Sequence, residues 1–173
     1  MWSPCYASVD GGIELGRFGH SATAVDASAA WGTDVVVVYG GVSAQRGPDG
    51  ATLAQKALGD VLVLQVEGGA WTRPEVAAPA SGGPGPRAFH AAAPLGRRVL
   101  VFGGHILTLE AGRKKRVFFN DLWSLDAEDW EWRRVELAAG SPAPPKRDMA
   151  ALAALPDGRL LLFGGRSEAQ RAL

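Results

Sequence analysis

One short pattern occurs three times in this chain and constrains its fold more than any other feature: an apolar run that ends in two glycines. Self-similarity at a nearly fixed interval is the sequence signature of a repeat architecture. A continuous apolar run is typical of a strand buried on both faces, and glycine allows the chain to turn sharply where it leaves that strand. The copies are residues 36–41, 99–104 and 160–165, with glycine pairs at Gly40 and Gly41, Gly103 and Gly104, and Gly164 and Gly165.

Other residues recur in phase with the glycine pairs. Eleven residues separate Asp60 from Trp71, and eleven separate Asp121 from Trp132. Between these markers lie runs typical of strands, joined by turn residues, which predicts units of four strands each. The remaining markers are Arg17 and His20 in the first unit, Arg87 and His90 in the second, and Arg147 in the third.

The intervals predict the division of the chain. Residues 1–16 are interpreted as the last strand of a preceding unit plus a linker, because 15 residues separate Trp2 from Arg17 and also Trp132 from Arg147. Residues 17–76 form the first unit, 77–137 a linker and the second unit, and 138–173 a linker and a partial third unit. This division predicts about eleven strands, with 42–57 and the basic segment around 113–116 as loops.

The second unit carries the pattern in full: Pro86-Arg87, His90, Gly103-Gly104, Asn120-Asp121-Leu122-Trp123 and Trp132. This pattern resembles the kelch repeat, and the resemblance covers nearly the whole chain. It implies an all-β fold, a kelch-type β-propeller made of antiparallel four-stranded blades. Propellers have about four to eight blades, so about 2.75 blades would be a fragment. Such an arc would leave blade edges open, and self-association could cover them.

Composition narrows the possible partners. The 173 residues carry 18 Lys plus Arg and 18 Asp plus Glu, so no overall positive field favours nucleic acid. No apolar run reaches the roughly 20 residues that span a bilayer, and the first residues lack the features of a signal peptide. We therefore expect no nucleic-acid or membrane partner, and a location in the cytoplasm, with the nucleus as an alternative.

The candidate partner-binding residues directly follow a glycine pair or lie between the second and third strands of a blade. The resemblance places such residues at the ligand-facing rim of a kelch domain. The basic cluster at 113–116 would contact an acidic protein, with a merely solvated loop as the alternative interpretation. The full set is Arg46, Asp49, His105, Arg113, Lys114, Lys115, Arg116 and Arg166.

The repeated Arg and His residues have two interpretations. They could form a polar ring near the mouth of the propeller axis, or they could satisfy backbone groups between blades. We favour the second interpretation, because residues in phase with a repeat usually serve the repeat itself. A metal site from His20 and His90 is not expected, since the third equivalent position holds Ala150.

Catalysis finds little support in the sequence. Copper oxidases with kelch architecture need a Tyr–Cys pair with further Tyr and His ligands, whereas this chain has Cys5, Tyr6, Tyr39 and three scattered His. The iron-binding pattern of kelch specifier proteins, Glu-x-x-x-Asp-x-x-x-His, does not occur. We expect a protein-interaction module without cofactor, metal or catalysis of its own. The alternatives are a piece of a larger kelch enzyme whose catalytic residues lie elsewhere and a truncation without function.

Overall fold

The computed structural model describes residues 15–27, 31–46, 52–80 and 82–167, with the backbone alone for residues 45, 46 and 52–54. Apolar runs, alternating runs and turn residues produce a nearly all-β structure. The strands of these residues are β1 (Ser21–Val25), β2 (Val35–Tyr39), β3 (Val42–Arg46), β4 (Thr52–Ala57), β5 (Val61–Gln65), β6 (Trp71–Thr72), β7 (Ala91–Leu95), β8 (Arg98–Phe102), β9 (His105–Glu110), β10 (Arg113–Phe118), β11 (Leu122–Asp126), β12 (Trp132–Arg134), β13 (Arg147–Ala154) and β14 (Leu160–Ser167).

Two four-stranded antiparallel sheets confirm the predicted architecture. The first blade has the strand order β1-β2-β5-β6, and the second repeats it as β7-β8-β11-β12. In the third unit, the described residues form one antiparallel pair, β13 with β14. The innermost strands β1, β7 and β13 lie side by side along the series. The predicted fourth strand in residues 1–16 falls largely outside the described residues.

The two segments interpreted as loops are β-hairpins, so that interpretation was wrong. Strand β3 pairs with β4, and β9 pairs with β10, each as a separate two-stranded sheet. The second hairpin turns at Ala111 and Gly112, which both have positive φ, 49° and 74°. Two successive positive φ values match the right-handed twist of flanking strands, as in type I′ turns. The polar residues of the first segment and the charged residues of the second concealed the strand pattern.

The apolar runs of the first two units lie in the core between the blades. Val37, Tyr39 and Val101 have no exposed surface. Trp132, from the fourth strand of the second blade, is 4% exposed and lies 4.9 Å from the Tyr39 ring of the first. Burying aromatic and branched side chains of this size contributes about 1.5–3 kcal/mol each. The core therefore holds the first two blades together, and Trp132 of the second blade reaches back toward the first.

The third apolar run is exposed in the described structure, whereas its counterparts in the first two units are buried. Phe163 is 76% exposed and Leu161 is 58% exposed, although they occupy the positions of Tyr39 and Val37. No described residues form a sheet that covers this side of β14. The three runs have similar apolar sequences, so the sequence does not explain the difference. The difference arises because the described residues include no neighbouring sheet to cover the third run.

Backbone hydrogen bonds join the blades at the start of each inner strand. The Phe89 N–H donates to Gly19 O at 2.7 Å, and the Met149 N–H donates to Phe89 O at 2.8 Å. The Gly104 N–H donates to Arg147 O at 2.9 Å. These bonds fix the spacing of the blades at the same end from which the two hairpins project.

Candidate partner-binding site

The hairpin β9–β10 brings the basic cluster of the sequence together with exposed leucines. It leaves the second blade directly after Gly104 and returns to the blade before β11. In its register, Lys114 lies opposite Leu109, and Arg116 lies opposite Leu107. Alternate residues of a strand share a face, and paired residues lie on the same face. Leu107, Leu109, Lys114 and Arg116 therefore share one face, called the hairpin face below.

The hairpin face is apolar and basic at once. Leu109 is 73% exposed and Leu107 is 44% exposed. Lys114 is exposed and has no carboxylate within ion-pair distance in the described part of the chain. Arg116 is half-buried near the foot of the hairpin, with its guanidinium 5.9 Å from the centre of the Phe118 ring. The side chains that could anchor a partner thus lie beside positive charge.

The opposite face of the hairpin differs, because part of its charge is neutralised locally. Lys115 lies 2.9 Å from Glu110 in an exposed ion pair. Arg113 is exposed at the end of the hairpin and has no ion-pair partner among residues 15–27, 31–46, 52–80 and 82–167. The structure thus divides the four-residue cluster, with Lys114 and Arg116 on the hairpin face and Arg113 and Lys115 on the other.

His105 does not lie on an open surface. It is the first residue of β9 and is 5% exposed, with its ring stacked on Phe89 at 5.4 Å. Its Nδ1 lies 2.8 Å from a carboxylate oxygen of Asp148. Burial, followed by the charge of Arg116, lowers the pKa of His105, although Asp148 acts in the opposite direction. His105 therefore supports the foot of the hairpin, and its predicted contact with a partner stays a prediction.

Arg166 meets the same carboxylate from the third blade. Its Nε and Nη2 donate to the two oxygens of Asp148 at 3.1 and 2.7 Å, and this pairing raises the pKa of Arg166. Asp148 is 1% exposed and links the second and third blades through His105 and Arg166. Sequence reasoning missed Asp148. The available signal was an acidic residue where the other units have Phe18 and Ala88.

The candidates in the first blade lie at the limits of the described residues. Arg46 is the last residue of β3, and only its backbone is described. Asp49 lies outside the described residues. The hairpin β3–β4 occupies the same place in the first blade as β9–β10 in the second, between its second and third strands.

The repeated arginines of the first two blades donate hydrogen bonds to a glycine carbonyl and to an aspartate of their own blade. Arg87 is 1% exposed, and it donates to Asp121 at 2.7 and 2.9 Å and to Gly103 O at 3.0 Å. Arg17 donates to Asp60 and to Gly40 O in the same way. Burial alone would raise the pKa of Asp121, but the hydrogen bonds and charge of Arg87 outweigh it and lower that pKa.

Arg147 repeats only half of this arrangement. It donates to Gly164 O at 2.8 Å, as Arg87 does to Gly103 O. No carboxylate among the described residues lies within ion-pair distance of Arg147. In the first two blades that carboxylate precedes the third strand, and the described part of the third unit has no third strand.

His90 is a buried imidazole near the core. It is 7% exposed, and its Nε2 lies 2.8 Å from the Ser21 hydroxyl of the first blade. Burial, followed by the charges of Arg87 and His20, lowers the pKa of His90 to about 3. The ring is therefore neutral in the folded chain at physiological pH.

Acidification from pH 7 to pH 5 is expected to lower the free energy of unfolding by about 2 kcal/mol through His90. Its pKa is about 3 when folded and 6.5 when unfolded, so between these values the unfolded chain binds the additional proton. This stability is present above pH 6.5 and is lost as the pH falls. Urea unfolding at pH 7, 6 and 5 should show that the free energy of unfolding falls less with pH in His90→Gln than in the parent chain. In His20→Gln, most of the fall seen in the parent should remain. An unchanged loss in His90→Gln would contradict this account.

No metal-binding constellation occurs in residues 15–27, 31–46, 52–80 and 82–167: no three His, Cys, Asp or Glu side chains lie together in a suitable arrangement. The same residues include no helix long and apolar enough to cross a membrane. What the site offers is a surface with apolar anchors and positive charge.

Comparison with known proteins supports the resemblance seen in the sequence. The family model described as the KLHDC2/KLHL20/DRC7 Kelch-repeats domain matches residues 2–172. Among curated proteins, the chain is 34% identical over 108 residues to Kelch domain-containing protein 1 of Mus musculus, which covers 61% of this chain and 23% of that protein.

Two other relatives are proteins much longer than this chain. The dynein alpha chain of the flagellar outer arm of Chlamydomonas reinhardtii is 42% identical over 87 residues, 47% of this chain and 2% of that protein. The serine/threonine-protein phosphatase BSL2 of Arabidopsis thaliana is 38% identical over 152 residues, 87% of this chain and 12% of that protein. The chain spans less than a quarter of each of these three relatives. Because the family match covers residues 2–172 and the sheets repeat the blade topology, this chain belongs to the kelch-repeat family.

Proposed function

We propose that this chain is a protein-interaction module that binds an acidic partner through the hairpin face. The observation that supports the proposal is the pairing of exposed Leu109 and Leu107 with Lys114 and Arg116 across two antiparallel strands. Kelch-repeat domains generally bind other proteins, and membership of this family makes such a role the first expectation. No catalysis by the chain itself is part of the proposal.

The chemistry of the hairpin face defines the partner. Exposed apolar side chains such as Leu107 and Leu109 favour contact with another apolar surface, since burying them removes apolar surface from water. Adjacent cations increase the rate at which an acidic segment associates and set its orientation. The partner is therefore a protein segment in which an aliphatic or aromatic residue lies beside Asp or Glu. The leucines would provide affinity and the cations selectivity.

Reversing one charge on the hairpin face is expected to weaken partner binding about tenfold, equivalent to about 1.4 kcal/mol. The test variant is Lys114→Glu, and Lys146→Glu is the matched control because Lys146 is also exposed but lies on the linker before β13. A photo-crosslinking residue at position 109 identifies the protein that contacts the hairpin face. Its affinity for each variant is then measured with purified components at low and high salt.

Equal weakening by Lys114→Glu and Lys146→Glu would contradict the proposal, because it would show a general charge effect. Leu109→Ser provides a second test that leaves the charge unchanged. It should weaken binding at both salt concentrations, whereas the effect of Lys114→Glu should decrease as salt screens the charge. Binding that neither substitution changes would exclude the hairpin face.

A second candidate is a part of a larger kelch enzyme. The observation that favours it is the similarity to a protein named as a phosphatase, BSL2, over 87% of this chain. In that case the chain would position or regulate a catalytic region outside itself. Copper or iron bound in stoichiometric amount to the purified protein would favour the metal-dependent form of this alternative.

A further inference from the structure

The hairpin β9–β10 depends on its foot for its orientation. Among the residues that the structure describes, no strand other than its partner packs along β9 or β10. The foot consists of His105 and Phe118, which lie opposite each other as the first residue of β9 and the last residue of β10. The contacts that these two residues make with the blades therefore determine the direction in which the hairpin face points.

Backbone and side-chain contacts join this foot to two different blades. Two backbone hydrogen bonds, each of 2.9 Å, connect His105 with Ala88 at the start of the second blade. The His105 ring stacks on Phe89, and its Nδ1 lies 2.8 Å from Asp148 of the third blade. Asp148 also accepts two hydrogen bonds from Arg166 on the paired strand β14. Asp148 therefore provides the polar connection between the hairpin and the third blade.

The contact between the first two blades shows that blade packing does not require this pair. Val42 follows the first glycine pair as His105 follows the second, and each exchanges two backbone hydrogen bonds with the start of its own blade. Ala88 of the second blade occupies the position that Asp148 has in the third. The first two blades thus place two uncharged residues where the next two place a buried carboxylate and an imidazole. A buried ionic group costs free energy, and fixing a single arrangement is a use that such groups can have.

Asp148 also opposes the positive charges at the foot of the hairpin. Burial, followed by the charge of Arg116 and later that of Arg166, lowers the pKa of His105, whereas the Asp148 carboxylate acts to raise it. Arg116 belongs to the hairpin face, and Arg166 belongs to β14. Without the carboxylate, these two like charges would repel each other across the foot and favour a different hairpin orientation.

We propose that Asp148 is a positioning residue for partner binding, which fixes the orientation of the hairpin face by holding His105 against the third blade. This role rests on the proposed function of the hairpin face. Asp148 is 1% exposed, so its effect on a partner passes through the hairpin. A preorganised surface loses less conformational entropy on binding. Loss of Asp148 should therefore reduce affinity although every side chain of the hairpin face remains.

The orientation of the hairpin is measured first, in the absence of any partner. Spin labels at Ala111→Cys in the hairpin turn and Arg134→Cys in β12, in a chain with Cys5→Ser, report the distance between hairpin and second blade by pulsed electron resonance. The distance distribution should become roughly twice as wide in Asp148→Ala, because the foot loses its connection to the third blade. The double variant His105→Val with Asp148→Ala should show the same broadening. It copies the uncharged residues of the first two blades and leaves no buried group without its partner.

Ser21→Ala is the matched control, because it removes a polar contact of the same length from a different pair of blades, the 2.8 Å between Ser21 and His90. It should leave the label distribution unchanged. The binding assay uses the partner identified by cross-linking at position 109. Its affinity should fall about tenfold in Asp148→Ala and less than about twofold in Ser21→Ala.

An unchanged label distribution in Asp148→Ala, or a double variant as narrow as the parent, would overturn the positioning role. Unchanged partner affinity in Asp148→Ala would also overturn it if Lys114→Glu weakens binding, since the hairpin face would then bind without the help of Asp148. If Lys114→Glu has no effect either, the proposed function and the role in binding fail together. The label distribution then still shows whether Asp148 orients the hairpin.

Discussion

Replacing Gly103 with alanine is expected to destabilise the chain by about 3 kcal/mol, from about 1–2 for a left-handed non-glycine residue and about 1–3 for overpacking. Gly103 has φ 65°, and an added Cβ would lie 2.6 Å from Arg147 O. That same oxygen accepts the Gly104 N–H at 2.9 Å. Because the clash is with backbone, no rotamer change relieves it, and the added methyl group would push the second and third blades apart.

Gly164 is the matched control for this prediction. It has φ 68°, but an added Cβ would meet nothing within 4 Å in the described structure. Gly164→Ala is therefore expected to cost only the conformational part, about 1–2 kcal/mol. Chemical denaturation of both variants separates the two contributions. Equal losses of stability would show that contact between blades does not constrain Gly103.

Replacing Asp121 with alanine is expected to lower the free energy of unfolding by about 3 kcal/mol, because removing one partner leaves a buried charge uncompensated. Arg87 is 1% exposed and would keep only its carbonyl acceptors, among them Gly103 O. The substitution also removes the acceptor for the Trp123 indole N–H, which now donates to Asp121 at 2.7 Å. The loss should therefore affect both the interior of the second blade and the core that it shares with the first blade, where Trp123 is buried.

Glu110→Ala is the control for this second prediction. Glu110 and Lys115 form an ion pair at 2.9 Å, close to the 2.7 Å between Arg87 and Asp121. Both side chains of the Glu110–Lys115 pair are more than half exposed. Exposed pairs typically contribute less than about 1 kcal/mol. Urea unfolding should therefore show a clear effect for Asp121→Ala and almost none for Glu110→Ala. If the two variants lost the same stability, burial of Arg87 would not determine the strength of its pairing.

Much of the architecture could be predicted because the signals for its strands and turns are short sequence patterns that recur in each unit. The runs that end at Gly41 and Gly104 are continuous and apolar because both faces of those strands are covered. The common spacing from Asp60 to Trp71 and from Asp121 to Trp132 placed the third and fourth strands. Repetition made each weak signal stronger, since an error in one unit could be checked against the next.

The candidate site was predicted less well than the fold. The sequence locates the cations at 113–116, but they were predicted to lie in a loop. Successive charged residues conceal the alternation of apolar and polar residues that indicates a strand. Pairing between β9 and β10 decided that Lys114 shares a face with Leu109, whereas Lys115 faces Glu110. The burial of His105 depends on Asp148, which lies 43 residues further along the chain. Contacts of this range leave no periodic signal.

The sequence by itself determined the repeat, the order of strands within a blade and the glycines that end each second strand. Only the tertiary structure decided which copies of a repeated residue find their partners. Phe163 and Tyr39 occupy equivalent positions, yet one is 76% exposed and the other is fully buried. Arg147 and Arg87 differ in the same way in their carboxylate partners. The physical reason is that the apolar or polar character of a strand is a local property of its residues. Burial and charge pairing instead require neighbouring strands from a distant part of the chain.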